Sequence, residues 1–391
     1  MEQPQGFIIS RQKHKVCHLK KAIYGLKQVS CTWNQQFHGV LTELGFTQTF
    51  SDAGVYVYQQ CKGDGPLIVI LYIDDIAIMG SSLKSVKQLK SDLAKHYEIT
   101  DLGEISSYLG IRIMCDCSTK HLDIDQSSYI KDLLDRFNMT DANTYNTPLP
   151  ADTDVHLIKN TGEASQSDIK LYQSLISSLL YIQIGTCPDI SFAVSHLSQY
   201  AANPSNQHLC LAKYILSYLA GTVDMCLCYD GNKGDGLYGY SDSSLEDQID
   251  DRHSTCSFVF LLANSTISWS SCKQRTAAQS TTEAEYMAMT DAANQATWYR
   301  SLLSELGYTV DNPIPIYRDN KGTIDLALNL VTGCRSKHID IKHHVICKYV
   351  EKDKISLIHI PTMEMVADGF TKSLSHTLPI RFNDNMGLYY P

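Results

Sequence analysis

The segment PLIVILYIDDIAIM, residues 66–79, constrains the fold more than any other stretch: apolar, largely β-branched residues run up to two adjacent aspartates, Asp74 and Asp75, and resume directly after them. A β-rich run broken by a short polar step reads as a hairpin whose turn carries the acids. Adjacent acids in a tight turn are commonly turn residues and nothing more, because Asp favours such positions. Here the apolar flanks make an exposed surface turn less natural. A metal site for nucleotidyl transfer would account for two charges that otherwise repel each other.

The chain has 391 residues, room for two or three domains, and its 43% hydrophobic and 19% charged content is that of a globular protein with a sizeable core. No apolar run approaches the roughly 20 residues of a membrane span. The opening residues MEQPQGFIISRQKHK lack the apolar core of a secretory signal, so an intracellular setting and no membrane partner are expected. The 13 cysteines are scattered, and their close pairs, Cys115/Cys117 and Cys226/Cys228, lack the Cys-x-x-Cys spacing typical of zinc sites. They read as reduced, mostly buried thiols. A net charge of −9 argues against a uniformly basic nucleic-acid footprint. Two local patches run against that average. Residues 11–27 hold Arg11, Lys13, Lys15, Lys20, Lys21 and Lys27 with no acid among them, and residues 335–354 are rich in Lys, Arg and His. Taken alone, each patch reads first as solvated surface.

After the hairpin, helical spacing recurs at 82–98, 126–138, 170–183 and 206–219, where apolar residues return every three or four positions. The stretch 146–168, rich in Pro, Asp, Thr and Ser, is the best linker candidate. From about 236 the pattern changes. Strand-like segments at 237–242, 255–262 and 265–271 precede a long helix at 281–305, a strand at 314–319 and a helix at 320–329. A His- and Lys-rich helical segment, a strand at 355–362 and a final short helix from 363 complete an α/β layout.

Four acids fall at suggestive points of this layout. Asp242 closes the first strand, Glu285 lies in the first turns of the long helix, Asp319 ends a strand, and Asp368 opens the last helix. Strand ends and helix starts converge at one edge of such a sheet, where four carboxylates would repel unless divalent cations neutralised them. Oxygen ligands suit Mg²⁺ or Mn²⁺, and two such ions about 3.5–4 Å apart can drive phosphodiester cleavage. Acids at helix starts are also common as simple caps.

Ten blocks carry a resemblance: KAIYGLKQ (21–28), LYIDD (71–75), DLGEISSYLGIRI (101–113), SLLYIQIGTCPDISFAVSHLSQY (178–200), YSDSS, DDRHSTCSFVF, STTEAEYMAM, RDN, SKHIDIKHH and VADGFTKSL. In this order they resemble the C-terminal part of a copia-type retrotransposon Pol polyprotein across essentially the whole chain. The resemblance implies an α+β reverse transcriptase palm and thumb remnant, residues 1–145, and a linker with helical connection, residues 146–235. An α/β RNase H-like domain with a mixed five-stranded sheet, residues 236–391, would follow. By resemblance Asp74 and Asp75 match the polymerase's Tyr-x-Asp-Asp turn, with Lys27 and Gln28 on the nucleotide and template side. Asp242, Glu285, Asp319 and Asp368 match the RNase H carboxylates, with Glu283 one step off the site. Mg²⁺ or Mn²⁺ would be the cofactor. The implied partners are an RNA–DNA hybrid, template-primer, dNTPs and a full-length Pol, in a cytoplasmic particle or the nucleus. In some relatives a histidine near the last carboxylate assists; His338, His343, His344 and His359 are the candidates, though each reads first as an ordinary helix-face or core residue.

The chain also departs from that pattern. Ser30 and Thr32 stand where the family has proline and arginine, Cys187 where arginine is usual, and Ser177 and Ser257 where glycine is usual. The family's polymerase needs a third aspartate from a strand preceding the text that MEQPQGF resembles, so the RNase H half is expected to be the more competent one. Other readings remain: a non-catalytic nucleic-acid-binding remnant, a decayed element product, or an integrase-like use of the C-terminal acids, against which the ordered blocks argue.

Overall fold

In the computed structural model the described residues are 2–9, 11–12, 14–19, 29–59, 65–150, 157–234, 236–244, 253–274, 276, 278, 280–328, 340–373 and 379–390. They divide into two units, Met1–Gly103 with Ser304–Tyr308 and Glu104–Leu303 with Thr309–Pro391. Among the described residues, no helix is long and apolar enough to cross a membrane.

In the first unit, α1 (Val29–Glu43) precedes an antiparallel sheet of β1 (Thr47–Gln48), β2 (Val55–Tyr58), β3 (Leu67–Tyr72) and β4 (Asp75–Gly80), and α2 (Leu83–Leu93) follows. Strand alternation sends Leu67, Val69 and Leu71 inward, where they meet Phe37 and Leu41 of α1, Tyr56 of β2, and Leu89 and Leu93 of α2. The expected hairpin is present. Tyr72 pairs with Asp75, leaving Ile73 and Asp74 as a two-residue loop.

The second unit begins with β5 (Ser107–Tyr108), β6 (Ile111–Asp116) and β7 (His121–Asp125). Nothing in the sequence reading anticipated these strands, because polar Arg112, Asp116 and Asp123 interrupt any clean apolar run. Four helices follow, α3 (Ser127–Arg136), α4 (Gln166–Gly185), α5 (Ser191–Ser198) and α6 (Asn206–Gly221), then β8 (Cys226–Asp230). The expected helices are all there, and α5 is additional. Leu149 and Leu157, from the stretch read as a linker, are buried with Leu133, Leu175, Ile182 and Ile215 in the helical core.

The last third builds β9 (Tyr238–Ser244), β10 (Thr255–Leu262), β11 (Ser265–Lys273), α7 (Thr281–Glu305), β12 (Ile314–Arg318), α8 (Lys321–Leu328), α9 (Asp340–Glu351) and β13 (Ile355–His359). After them come α10 (Pro379–Asn385) and β14 (Leu388–Tyr389). A mixed five-stranded sheet runs β11-β10-β9-β12-β13, with β9, β10 and β11 antiparallel and β12 parallel to both β9 and β13. Small side chains on α7, Ala292, Ala293 and Ala296, let the helix lie close on this sheet beside Phe260, Ile314 and Ile316. Gly239 faces Phe260 across the strands, and the phenyl ring fills the space a Cβ would need. The other sheet runs β14-β8-β7-β6-β5, joining segments more than 250 residues apart in the chain.

Two local expectations are corrected. Asp242 lies inside β9 opposite Ser257, because the strand runs on to Ser244. Asp368 sits in the middle of a 3₁₀ turn, Val366–Phe370, rather than opening the last helix. That turn holds Gly369, a poor α-helix former, and the Phe382 ring lies where a Cβ on it would go.

Candidate functional site

β12 sends Ile314, Ile316 and Arg318 inward by strand alternation, so Asp319, the next residue, leaves the sheet at its edge. β9 lies beside β12 in parallel and brings Asp242 to the same edge, while α7 crosses above with Glu285 in its second turn. Ligand oxygens of Asp242, Glu285 and Asp319 lie within 4.8 Å of one another. Asp242 and Glu285 are buried and Asp319 is half-buried.

Each carboxylate is held. Thr371 Oγ1 donates to Asp242 Oδ2 at 3.0 Å, and Thr362 Oγ1 donates to Asp319 Oδ2 at 2.8 Å. Arg318 Nη2 donates to Glu285 Oε2 at 2.5 Å, and Asn320 Nδ2 donates to Glu285 Oε1 at 3.1 Å. Asp368 pairs with Lys372 at 2.6 Å. Burial pushes the Asp242 carboxyl up to about 6, with the charges of Asp368, Asp319 and Glu285 adding to it and the Thr371 hydroxyl opposing. The three clustered acids supply oxygen donors only, with more negative charge than the nearby cations balance, and that donor set fits a hard divalent cation.

Of the candidate histidines, His359 places Nε2 3.1 Å from the Asp319 carbonyl oxygen. His343 and His344 lie in α9, and His338 lies outside the described residues. The sequence reading missed Arg318, Asn320, Thr362, Thr371 and Lys372. Only Arg318 left a signal, a charge at the end of the apolar alternation in IPIYRDN.

At the hairpin, Tyr72, Ile73, Asp74 and Asp75 are all exposed, so the turn does stand at the surface despite its apolar flanks. The alternation that buries β3 ends at Leu71, before the acids begin. Ile73 adopts φ +53°, a left-handed conformation unusual for a β-branched residue, and its carbonyl accepts from Trp33 Nε1 at 2.7 Å. Among the described residues, no group of three potential metal-ligating side chains includes Asp74 or Asp75. Lys27 and Gln28 lie outside the described residues, as do Lys13, Lys20 and Lys21 of the same basic stretch.

The described cysteines are free thiols, as expected, but only Cys226, Cys256 and Cys347 are buried. Cys115, near the end of β6, and Cys117, in the turn after it, are exposed. Cys228 stands beside His121 and Asp123 of the neighbouring strand, with ligand atoms within 4.8 Å of one another.

Residues 1–151 match the family model described as reverse transcriptase (RNA-dependent DNA polymerase). The chain is 36% identical over 375 residues to a retrovirus-related Pol polyprotein from transposon TNT 1-94 of Nicotiana tabacum, covering 95% of this chain and 28% of that protein. With the corresponding polyprotein from transposon RE1 of Arabidopsis thaliana, identity is 35% over 388 residues, covering 99% and 26%. The chain spans about a quarter of the length of these relatives. A putative Ty5-1 transposon protein of Saccharomyces cerevisiae is 33% identical over 294 residues, covering 73% of this chain and 92% of that protein. Among solved structures, LC11-RNase H1 isolated from compost is similar at 16% identity and TM-score 0.29, covering 35% of this chain and 92% of that one.

Proposed function

Because this chain belongs to the copia-type retrovirus-related Pol polyproteins of transposons, we propose that residues 236–391 act as a ribonuclease H on the RNA strand of RNA–DNA hybrids. The observation that carries this reading is the convergence of Asp242, Glu285 and Asp319 within 4.8 Å at one sheet edge. Asp242, Glu285 and Asp319 would hold Mg²⁺ or Mn²⁺, which would supply positive charge for activating a water and stabilising the leaving oxygen in phosphodiester hydrolysis. The chain's own residues set up that chemistry. Thr371 and Thr362 fix one oxygen each of Asp242 and Asp319, leaving the second oxygen of each carboxylate for a cation. Asp368, half-buried beside them, adds charge to the same edge. The hybrid would be read by its shape and 2′-hydroxyls rather than by base sequence.

In the polymerase half, residues 1–145, Asp74 and Asp75 would face the incoming dNTP and the template-primer, with Lys27 and Gln28 alongside. A full-length Pol is a natural partner for a chain of this family. A second reading, hybrid binding without cleavage, draws support from one observation: Arg318 and Lys372 already pair with Glu285 and Asp368. An end-labelled RNA in a DNA hybrid, incubated with the full chain and Mg²⁺, Mn²⁺ or EDTA, separates the two. Metal-dependent cutting supports the nuclease, and retention of the hybrid without cutting supports the binding protein.

A further inference from the structure

We infer that Arg318 is a built-in cation of the carboxylate cluster, holding Glu285 in place of a divalent ion, so that in this chain the metal rests chiefly on Asp242 and Asp319. The inference rests on the nuclease reading above and concerns the same site.

Strand alternation places position 318 third in an inward row after Ile314 and Ile316, and the Arg318 side chain is 0% exposed. A guanidinium in that position loses its water and needs a charged partner from the protein. Glu285 provides it, through Nη2 at 2.5 Å, and Ser241 Oγ accepts from Nη1 at 3.2 Å. Arg318 Nε has no hydrogen-bond partner among the described residues, so the buried guanidinium relies on Glu285 for its compensating charge. Since Asn320 takes the other Glu285 oxygen, both oxygens of that carboxylate are engaged. Being fully buried, Arg318 cannot reach a phosphate of a bound nucleic acid, so its charge acts inside the cluster.

Drawing Glu285 onto a metal ion would leave a buried, unpaired guanidinium behind. The cost of that step is subtracted from metal affinity. Lys372 differs: its pair with Asp368 is half-exposed, and an exposed pair opens at little cost. Asp242 and Asp319 have no cationic side chain paired with them among the described residues, so they remain available.

The test titrates Mn²⁺ into the full chain and follows free Mn²⁺ by electron paramagnetic resonance. It compares the native protein with Arg318→Met, Arg318→Lys and Asp242→Asn, with folding checked by circular dichroism. Arg318→Met, similar in size and uncharged, is expected to bind Mn²⁺ at least about tenfold more tightly, because breaking the ion pair no longer opposes the metal. Arg318→Lys keeps the charge but lacks the fork, and a gain of about threefold is expected. Equal or weaker binding by a folded Arg318→Met overturns the inference, since a purely structural arginine would give that result. Should Arg318→Met fail to fold, Arg318→Lys decides: tighter binding supports the inference and unchanged binding overturns it. Asp242→Asn distinguishes failure of the metal site from failure of the Arg318 inference. If it binds Mn²⁺ as the native chain does, the cluster is not the metal site and the nuclease reading falls together with the inference. If it loses Mn²⁺ while the arginine variants match the native chain, only the inference falls.

Discussion

Asp242 is the residue on which the site's electrostatics turn. Its carboxyl is pushed up to about 6 from the usual 3.8, chiefly by burial and next by the neighbouring Asp368 and Asp319 charges. A folded-state value above the unfolded one means that the native chain binds the proton more readily between about pH 4 and 6, so stability falls as pH rises through that window. In EDTA, urea unfolding at pH 4.5 and pH 7 should show the native chain losing about 2 kcal/mol relative to Asp242→Asn. Equal pH dependence in the two proteins would remove the raised carboxyl from the account. Metal binding has the opposite sign, since it needs the charged carboxylate and strengthens as pH rises past about 6. At this scale the convergence of Asp242, Glu285 and Asp319 was legible because each stands in a distinctive block of the sequence. Arg318 showed only as a charge at the end of an apolar alternation, because what gives it a role is its burial against α7, and burial follows from how β9, β12 and the helix stack.

Among the elements, the β3–β4 hairpin shows where local sequence is informative and where it stops. Its strands were legible from composition and alternation, but the exposure of its turn was not, because the depth of a strand end depends on what covers it. Ile73 bears the turn's positive φ with no glycine to ease it. A left-handed L-residue costs roughly 1–2 kcal/mol, more for a β-branched one, and Ile73 is exposed enough that its side chain contributes little packing. Ile73→Asn, which tolerates that conformation, should therefore raise the urea midpoint by the equivalent of about 1 kcal/mol. An unchanged or lower midpoint would show that the isoleucine is held by interactions beyond its backbone. Strands β5 to β8 were hidden for a different reason. They are short and carry polar residues at many positions, and they form a sheet by pairing with one another and with β14.

At the scale of the second unit, long-range pairing ties distant stretches of chain together. β14 pairs with β8, and Leu227 of β8 is buried with Val259, Phe370, Phe382 and Met386, so the C-terminal sheet shares its core with chain that precedes residue 236. Sequence blocks could mark the start of the α/β layout but not this shared core, which depends on contacts across more than 150 residues. For that reason the decisive assay uses the full chain and not an excised C-terminal piece. The measurement is cleavage of an end-labelled RNA–DNA hybrid with saturating Mn²⁺ by the native chain, by Asp242→Asn, and by the double variant Asp74→Asn with Asp75→Asn. The account predicts that the native chain and the hairpin double variant cut the RNA strand alike, and that Asp242→Asn does not. An intact RNA with folded native protein, or cutting that survives Asp242→Asn, would contradict the assignment of the carboxylate cluster as the site of cleavage.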